Sequence, residues 1–322
     1  MFDLITIGDS TFDTFLILEE DKNTCSLSKN KKMLCFNYAE KTPINKTAQS
    51  VGGNAANVAV AVRKLGKKTA IVTELGDDIN AHIIKHELKK AGVDIKLVKR
   101  IKNNETRYSI VLNYCGERTI LSYYTKRNYS LPKLPETKWI YYTSLGKSFE
   151  KLQNNLIKYL QKNTATKLAV NPGSYQINMG LTKIKQILAF TDLLVVNKEE
   201  AEKLVGKKQN YKQLLSSLHQ AGAKIIVITD NENGSYAFDG KEKYFMPAYK
   251  VNMIAKTGAG DAYTSAFLSA IMAGKKLAEA MVYGTANASS VIQKFGSQEG
   301  LLNERQLNKL MKEKSKIQPK KI

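Results

Sequence analysis

The strongest constraint on the fold is a repeated alternation: a short unbroken apolar run, then a stretch whose apolar residues recur at helical spacing. The runs fall at residues 4–7, 70–73, 139–142, 168–170, 193–196 and 225–228. Apolar runs bounded by turns imply strands covered on both faces, as in a parallel sheet. Between the first two runs, residues 55–65 carry Val58, Val62 and Leu65 on one face and stop at Gly66, a helix with a C-terminal glycine. Residues 79–91 repeat the pattern through Ile83, Ile84 and Leu88 and stop at Gly92. This alternation predicts an α/β fold: a doubly wound, mostly parallel sheet flanked by helices.

Two segments break the alternation. Residues 14–50 are polar and lack a helical period, and residues 106–125 read as a hairpin, with 108–113 and 119–124 flanking a Cys115-Gly116 turn. Paired together over the carboxyl ends of the main strands, they would make a small β lid. The expected division is a large α/β domain over residues 1–13, 48–105 and 126–305, a lid over 14–47 and 106–125, and a basic C-terminal tail at 306–322. For that tail the expectation is a short helix fraying into disorder.

Composition removes several classes. Of 322 residues, 43% are hydrophobic, enough for a sizeable core, yet no apolar run approaches the roughly 20 residues of a membrane helix. The first residues lead straight into an apolar strand without the basic, hydrophobic and small-residue regions of a signal peptide. Three cysteines with no C-x-x-C pair fit reduced thiols. A cytoplasmic protein is expected. The net charge of +21 suits either nucleic acid or anionic metabolites.

The chemistry concentrates in a few places. Lys256-Thr257-Gly258-Ala259-Gly260-Asp261 precedes a helix through Phe267 and Ile271. Small residues at a helix N-terminus let backbone N–H groups cradle an anion, and a carboxylate beside that cradle suits proton abstraction from an attacking hydroxyl. An ordinary glycine turn before a buried helix is the plainer alternative. Gly52-Gly53-Asn54-Ala55-Ala56-Asn57 offers two glycines and two carboxamides, which fit a polyol, although Asn54 could simply cap its helix. Asp9 and Asp13 stand beyond the first strand, where ligands bind in open α/β sheets; either could be a turn residue. Asn197 and Glu200 have capping-box spacing, and the same oxygens could hold Mg²⁺ through water. Residues 229–234 form a polar loop suited to a nucleotide or to solvent.

Other motifs fail. Tyr141 stands where a Walker A loop ending at Gly146-Lys147-Ser148 needs glycine, and Tyr263 occupies the third glycine of a dinucleotide fingerprint. His82 and His86 lack the glutamate of H-E-x-x-H, since Ile83 takes its place. No G-x-S-x-G elbow occurs. The lysines are dispersed without an aromatic RNA-binding motif, which speaks against a nucleic-acid module.

Together these residues resemble the ribokinase/PfkB family of carbohydrate kinases, in order from about residue 2 to 302. The resemblance rests on the Gly-Gly-Asn-Ala-Ala-Asn run with Gly66 and Gly76, on Asn197 and Glu200 as N-x-x-E, on residues 227–234, and on residues 257–261. It implies a ribokinase-like fold with a β lid and ATP-dependent transfer of a γ-phosphoryl group to a sugar hydroxymethyl. Asp261 would be the base and Gly258, Ala259 and Gly260 the anion hole. Asp13, Gly52, Gly53 and Asn57 would meet the acceptor. Asn197 and Glu200 would organise the phosphates and Mg²⁺, with Glu200 acting through water, and Thr229, Gly234 and Asn287 would hold ATP. In some members lids pair into homodimers. Ala255-Lys256 departs from the family's usual Asp-Thr. The lost carboxylate belongs to a monovalent-cation site in the family, so the resemblance does not carry potassium activation to this chain. Lys256 adds a cation near the phosphates or points to solvent. Two other functions stay open: a nucleoside kinase of the same family, and a non-catalytic regulatory or nucleic-acid-binding protein.

Overall fold

A computed structural model of the chain describes all residues except 20–24, 29, 31–32, 116 and 207–208. All six apolar runs form adjacent parallel strands at the centre of one sheet: β1 (Phe2–Ile7), β6 (Thr69–Leu75), β10 (Thr137–Tyr142), β11 (Lys167–Val170), β12 (Leu193–Asn197) and β13 (Ile225–Thr229). The sheet continues to β7 (Val98–Arg100) at one edge and, antiparallel, to β14 (Ser235–Phe238), β15 (Lys243–Met246) and β16 (Lys320–Lys321) at the other. The two-residue period of a strand sends neighbouring side chains to opposite faces, and both faces are covered. Ile5, Ile140 and Ile226 pack on one side with helices α3 (Glu150–Lys162), α4 (Ser174–Asn178), α5 (Leu181–Leu188), α6 (Lys198–Val205) and α7 (Tyr211–Gln220). Leu4, Tyr141 and Val227 pack on the other with α1 (Asn54–Lys64), α8 (Ala259–Met272), α9 (Leu277–Val291) and α10 (Glu304–Glu313). Helix α2 (Ile79–Lys90) lies beside α1, with Ile84 and Leu88 buried.

The two excursions form a separate four-stranded sheet, ordered β5-β2-β8-β9, from β2 (Thr11–Leu18), β5 (Ile44–Gly52), β8 (Tyr108–Tyr114) and β9 (Glu117–Tyr123). A short ribbon of β3 (Cys25–Leu27) and β4 (Leu34–Phe36) adjoins it. Strand β2 begins at Thr11 and β5 ends at Gly52, so Asp13 and Gly52 lie on strands of this small sheet, at the ends nearest the main one. Gly116 of the expected hairpin turn lies outside the described residues.

The tail differs from expectation. Leu307 buries the apolar face of α10, and the chain then returns to the sheet edge, where β16 pairs with β15 and Lys321 bonds Glu242 at 2.6 Å. The open edge of β15 supplies unpaired backbone groups that an extended basic segment can satisfy. Among the described residues no helix is long and apolar enough to cross a membrane.

Candidate active site

Helix α8 begins at the anion cradle. Its N-cap, Gly258, has φ +81°, a left-handed conformation in which a Cβ would also lie 2.6 Å from Ser297 Cα. Only glycine meets both demands. The first turn of a helix leaves its N–H groups without intrahelical acceptors, so the cradle at Gly258, Ala259 and Gly260 can bind an anion. Ala259 and Gly260 border a cavity of about 1140 Å³ also lined by Thr229, Gly234, Tyr236 and Lys256. An added Cβ at Gly260 would meet nothing within 4 Å.

Asp261 occupies the third position of the same helix. Asn57 Nδ2, from α1, donates to its Oδ2 at 2.8 Å. Asn57 Oδ1 in turn accepts from Ser297 Oγ at 2.9 Å and Gln298 Nε2 at 3.0 Å. The whole carboxamide is thus engaged in aiming the carboxylate. Burial pushes the Asp261 carboxyl up to about 6; the Asn57 bond and the Arg118 charge pull it down, and the negative charge of Asp13 pushes it up. Asp13 therefore stands near enough to interact with Asp261. Its own carboxyl is raised by burial against hydrogen bonds from Thr11 and Ser109, the Thr11 bond measuring 2.8 Å. Gly52 lies alongside, and a Cβ there would collide with Asp13 Oδ2.

Several positions turn out differently from the expected roles. Asn54 is the first residue of α1 and Gly53 its cap; the Asn54 amide donates instead to Asn171 Oδ1 at 3.1 Å. Asp9 is a structural ion: it pairs with the buried Arg107 and accepts from Tyr129 Oη at 2.9 Å. Asn287 is fully buried, and its amide joins Ala262 O at 2.9 Å to Leu302 N at 3.0 Å. That amide fastens α9 to α8 and is absent from the cavity wall, where the neighbouring Ala288 and Ser289 stand. Asn197 and Glu200 form the capping box at the start of α6, with reciprocal bonds of 2.9 Å. Glu200 does more than cap. Burial raises its carboxyl to about 7, opposed by the Asn197 backbone bond and Lys203 and assisted by the charge of Asp261. Glu200 and Asp261 are thus two carboxylates raised by burial, and Glu200 feels the charge of Asp261. Among the described residues no group of three or more His, Cys, Asp or Glu could ligate a metal directly.

Arg118 carries no sequence motif that marks it as a site residue. It comes from β9 of the small sheet, donates to Thr257 Oγ1 at 3.0 Å, and loses basicity to burial while the charge of Asp261 restores part of it. Beside it Glu117 pairs with Lys256 at 2.7 Å. Both contacts span 139 residues of chain, a separation at which a single sequence offers no local signal.

The helix-terminal cradle borders the cavity, the oriented acid follows it in the same helix turn, and known proteins are similar over most of the chain. Residues 24–304 match the profile of the pfkB family carbohydrate kinases. A probable fructokinase-5 of Arabidopsis thaliana is 28% identical over 290 residues, covering 82% of this chain and 89% of that protein. A 5-dehydro-2-deoxygluconokinase of Clostridium tetani is 26% identical over 293 residues, covering 82% and 84%. The crystal structure of ribokinase from Thermotoga maritima superposes with a TM-score of 0.78 at 20% identity, covering 97% of this chain and all (100%) of the other. The chain belongs to the pfkB family of carbohydrate kinases.

Proposed function

We propose that the protein transfers the γ-phosphoryl group of ATP to a hydroxymethyl group of a neutral or acidic sugar. The observation that carries this reading is the placement of Asp261. It stands at the third position of the cradle helix, held by Asn57, next to Gly260 on the cavity wall and within reach of the charge of Asp13, which Gly52 adjoins. ATP in the cavity would direct its terminal phosphate to the Gly258–Gly260 amides, with Thr229 and Gly234 along the nucleotide wall. The acceptor would lie against Asp13 and the backbone at Gly52 and Gly53.

Asp261 takes the proton from the acceptor hydroxyl as its oxygen bonds to the γ-phosphorus and the bond to the bridging oxygen of the β-phosphate breaks, releasing ADP. A carboxyl raised to about 6 is ionised at neutral pH yet more basic than an exposed aspartate, which suits a general base. The cradle amides and the Arg118 guanidinium offset charge on the transferring group. Glu200, through coordinated water, and Asn197 would hold Mg²⁺, which when bound neutralises phosphate charge. Glu200→Gln is expected to raise the Mg²⁺ concentration for half-maximal rate about 10- to 100-fold, the usual effect of losing an outer-sphere partner, and a Mg²⁺ titration of both forms checks it.

The relatives similar in sequence bear the names of a fructokinase and a sugar-acid kinase, which supports a sugar over a nucleoside as acceptor. A panel of sugars, sugar acids and nucleosides with coupled detection of ADP tests this, run with and without potassium. ADP formation dependent on a sugar is the expected result, unchanged by potassium because Ala255 offers only a methyl group where a cation site needs a carboxylate. Turnover on nucleosides alone would shift the acceptor class. No turnover on any acceptor, with salt-sensitive RNA binding, would favour the non-catalytic alternative.

A further inference from the structure

Lys256, beside the cradle, both lines the cavity and reaches the lid. Its side chain is 31% exposed, and its Nζ lies 2.7 Å from Oε1 of Glu117, which is 71% exposed. Glu117 opens strand β9, and its neighbour Arg118 makes the separate bond to Thr257. The lid is therefore tied to the cradle loop at two adjacent points of different chemistry: a charge pair, and a guanidinium on a hydroxyl.

The two ties are not equivalent. An ion pair with a largely exposed carboxylate is worth little, because water and salt screen it. A polyphosphate in the cavity presents several negative charges to the same ammonium group within a partly enclosed wall, where attraction is stronger than at open surface. Lysine is a point-charge donor free to exchange partners, whereas the planar guanidinium holds a fixed geometry.

We propose that Lys256 is a phosphate-contact residue of the nucleotide cavity and that Glu117 of the lid is its resting counter-charge. Nucleotide phosphate displaces Glu117 from Lys256, while Arg118 keeps the lid docked on Thr257. Filling the cavity thereby loosens one of the two lid ties without releasing the other. This rests on the cavity being the ATP site.

The test is calorimetric titration of ATP into the wild type, Lys256→Met, Glu117→Gln and the charge swap K256E/E117K, with amide hydrogen exchange of β9 followed in each. Lys256→Met should weaken ATP about tenfold, the loss of one charged hydrogen bond. Glu117→Gln should tighten it about threefold by removing the competitor. The charge swap should regain the exchange protection of β9 but bind ATP no better than Lys256→Met. In the wild type, ATP should raise exchange at Glu117. Lys256→Met binding ATP as the wild type does, or a charge swap that restores full ATP affinity, would overturn the proposal and leave the pair a lid contact only. A wild type that binds no ATP at all would instead remove the functional reading, and this inference with it.

Discussion

Asp261→Asn should lose at least about 10²-fold in kcat, the lower range for removing a general base, while ATP and acceptor still bind. Asparagine has the same shape and can still accept from Asn57 Nδ2, so the helix terminus and the cradle keep their geometry. The same variant should be more stable than the wild type at alkaline pH. The Asp261 carboxyl titrates at about 6 in the folded protein against 3.8 as an unperturbed group, so between those values the folded state binds the proton that the unfolded state has lost. Stability therefore falls as pH rises through that window, and the full cost of the buried charge is present above about pH 6. The gap of about two pH units corresponds to roughly 3 kcal/mol. Asparagine avoids that cost. Denaturant titrations at pH 8 and pH 4 should show the variant more stable at the first and level with the wild type at the second. A variant that is inactive because it is unfolded would give the opposite result.

Asp13→Asn should lower kcat/KM for the acceptor about 10²-fold, chiefly through KM, with ATP affinity unchanged. Each charged hydrogen bond from a carboxylate to a substrate hydroxyl is worth about 1.5–3 kcal/mol, and an amide presents only one accepting atom in place of two. Gly52→Ala should act in the same direction, since the new Cβ would occupy the space of Asp13 Oδ2 and turn the carboxylate away. Agreement between the two variants matters more than either value. One changes the chemistry of the side chain and the other its position. Steady-state kinetics with acceptor varied at saturating ATP, then the reverse, separates the two substrates. An increase confined to the KM of ATP would move Asp13 out of the acceptor site.

What could be read from sequence was local or periodic. The six central strands are buried on both faces, so their apolar runs are unbroken and visible. Strands β14 and β15 are half-exposed and β16 is only Lys320–Lys321, so neither run length nor alternation marks them. The capping box from Asn197 to Glu200 is four residues wide and legible, whereas the raised carboxyl of Glu200 depends on burial that only packing creates. Gly258 to Asp261 could be recognised because a helix-terminal cradle is contiguous in the chain. The bonds that aim Asp261 could not, because Asn57 reaches it across 204 residues and is itself held by Ser297 from 240 residues away. Asn287 comes from the family resemblance alone as an ATP contact, and no local signal in the chain foretells that its amide joins two helices and a chain segment.

The most direct test of the central claim is the pH dependence of acceptor phosphorylation from pH 5 to 9 at saturating Mg²⁺. The wild type should rise with unit slope to a plateau, bending near pH 6 where Asp261 ionises, and the residual activity of Asp261→Asn should lack that bend. A wild-type profile that is flat across the range, or one whose bend persists in Asp261→Asn, would contradict the assignment of Asp261 as the base.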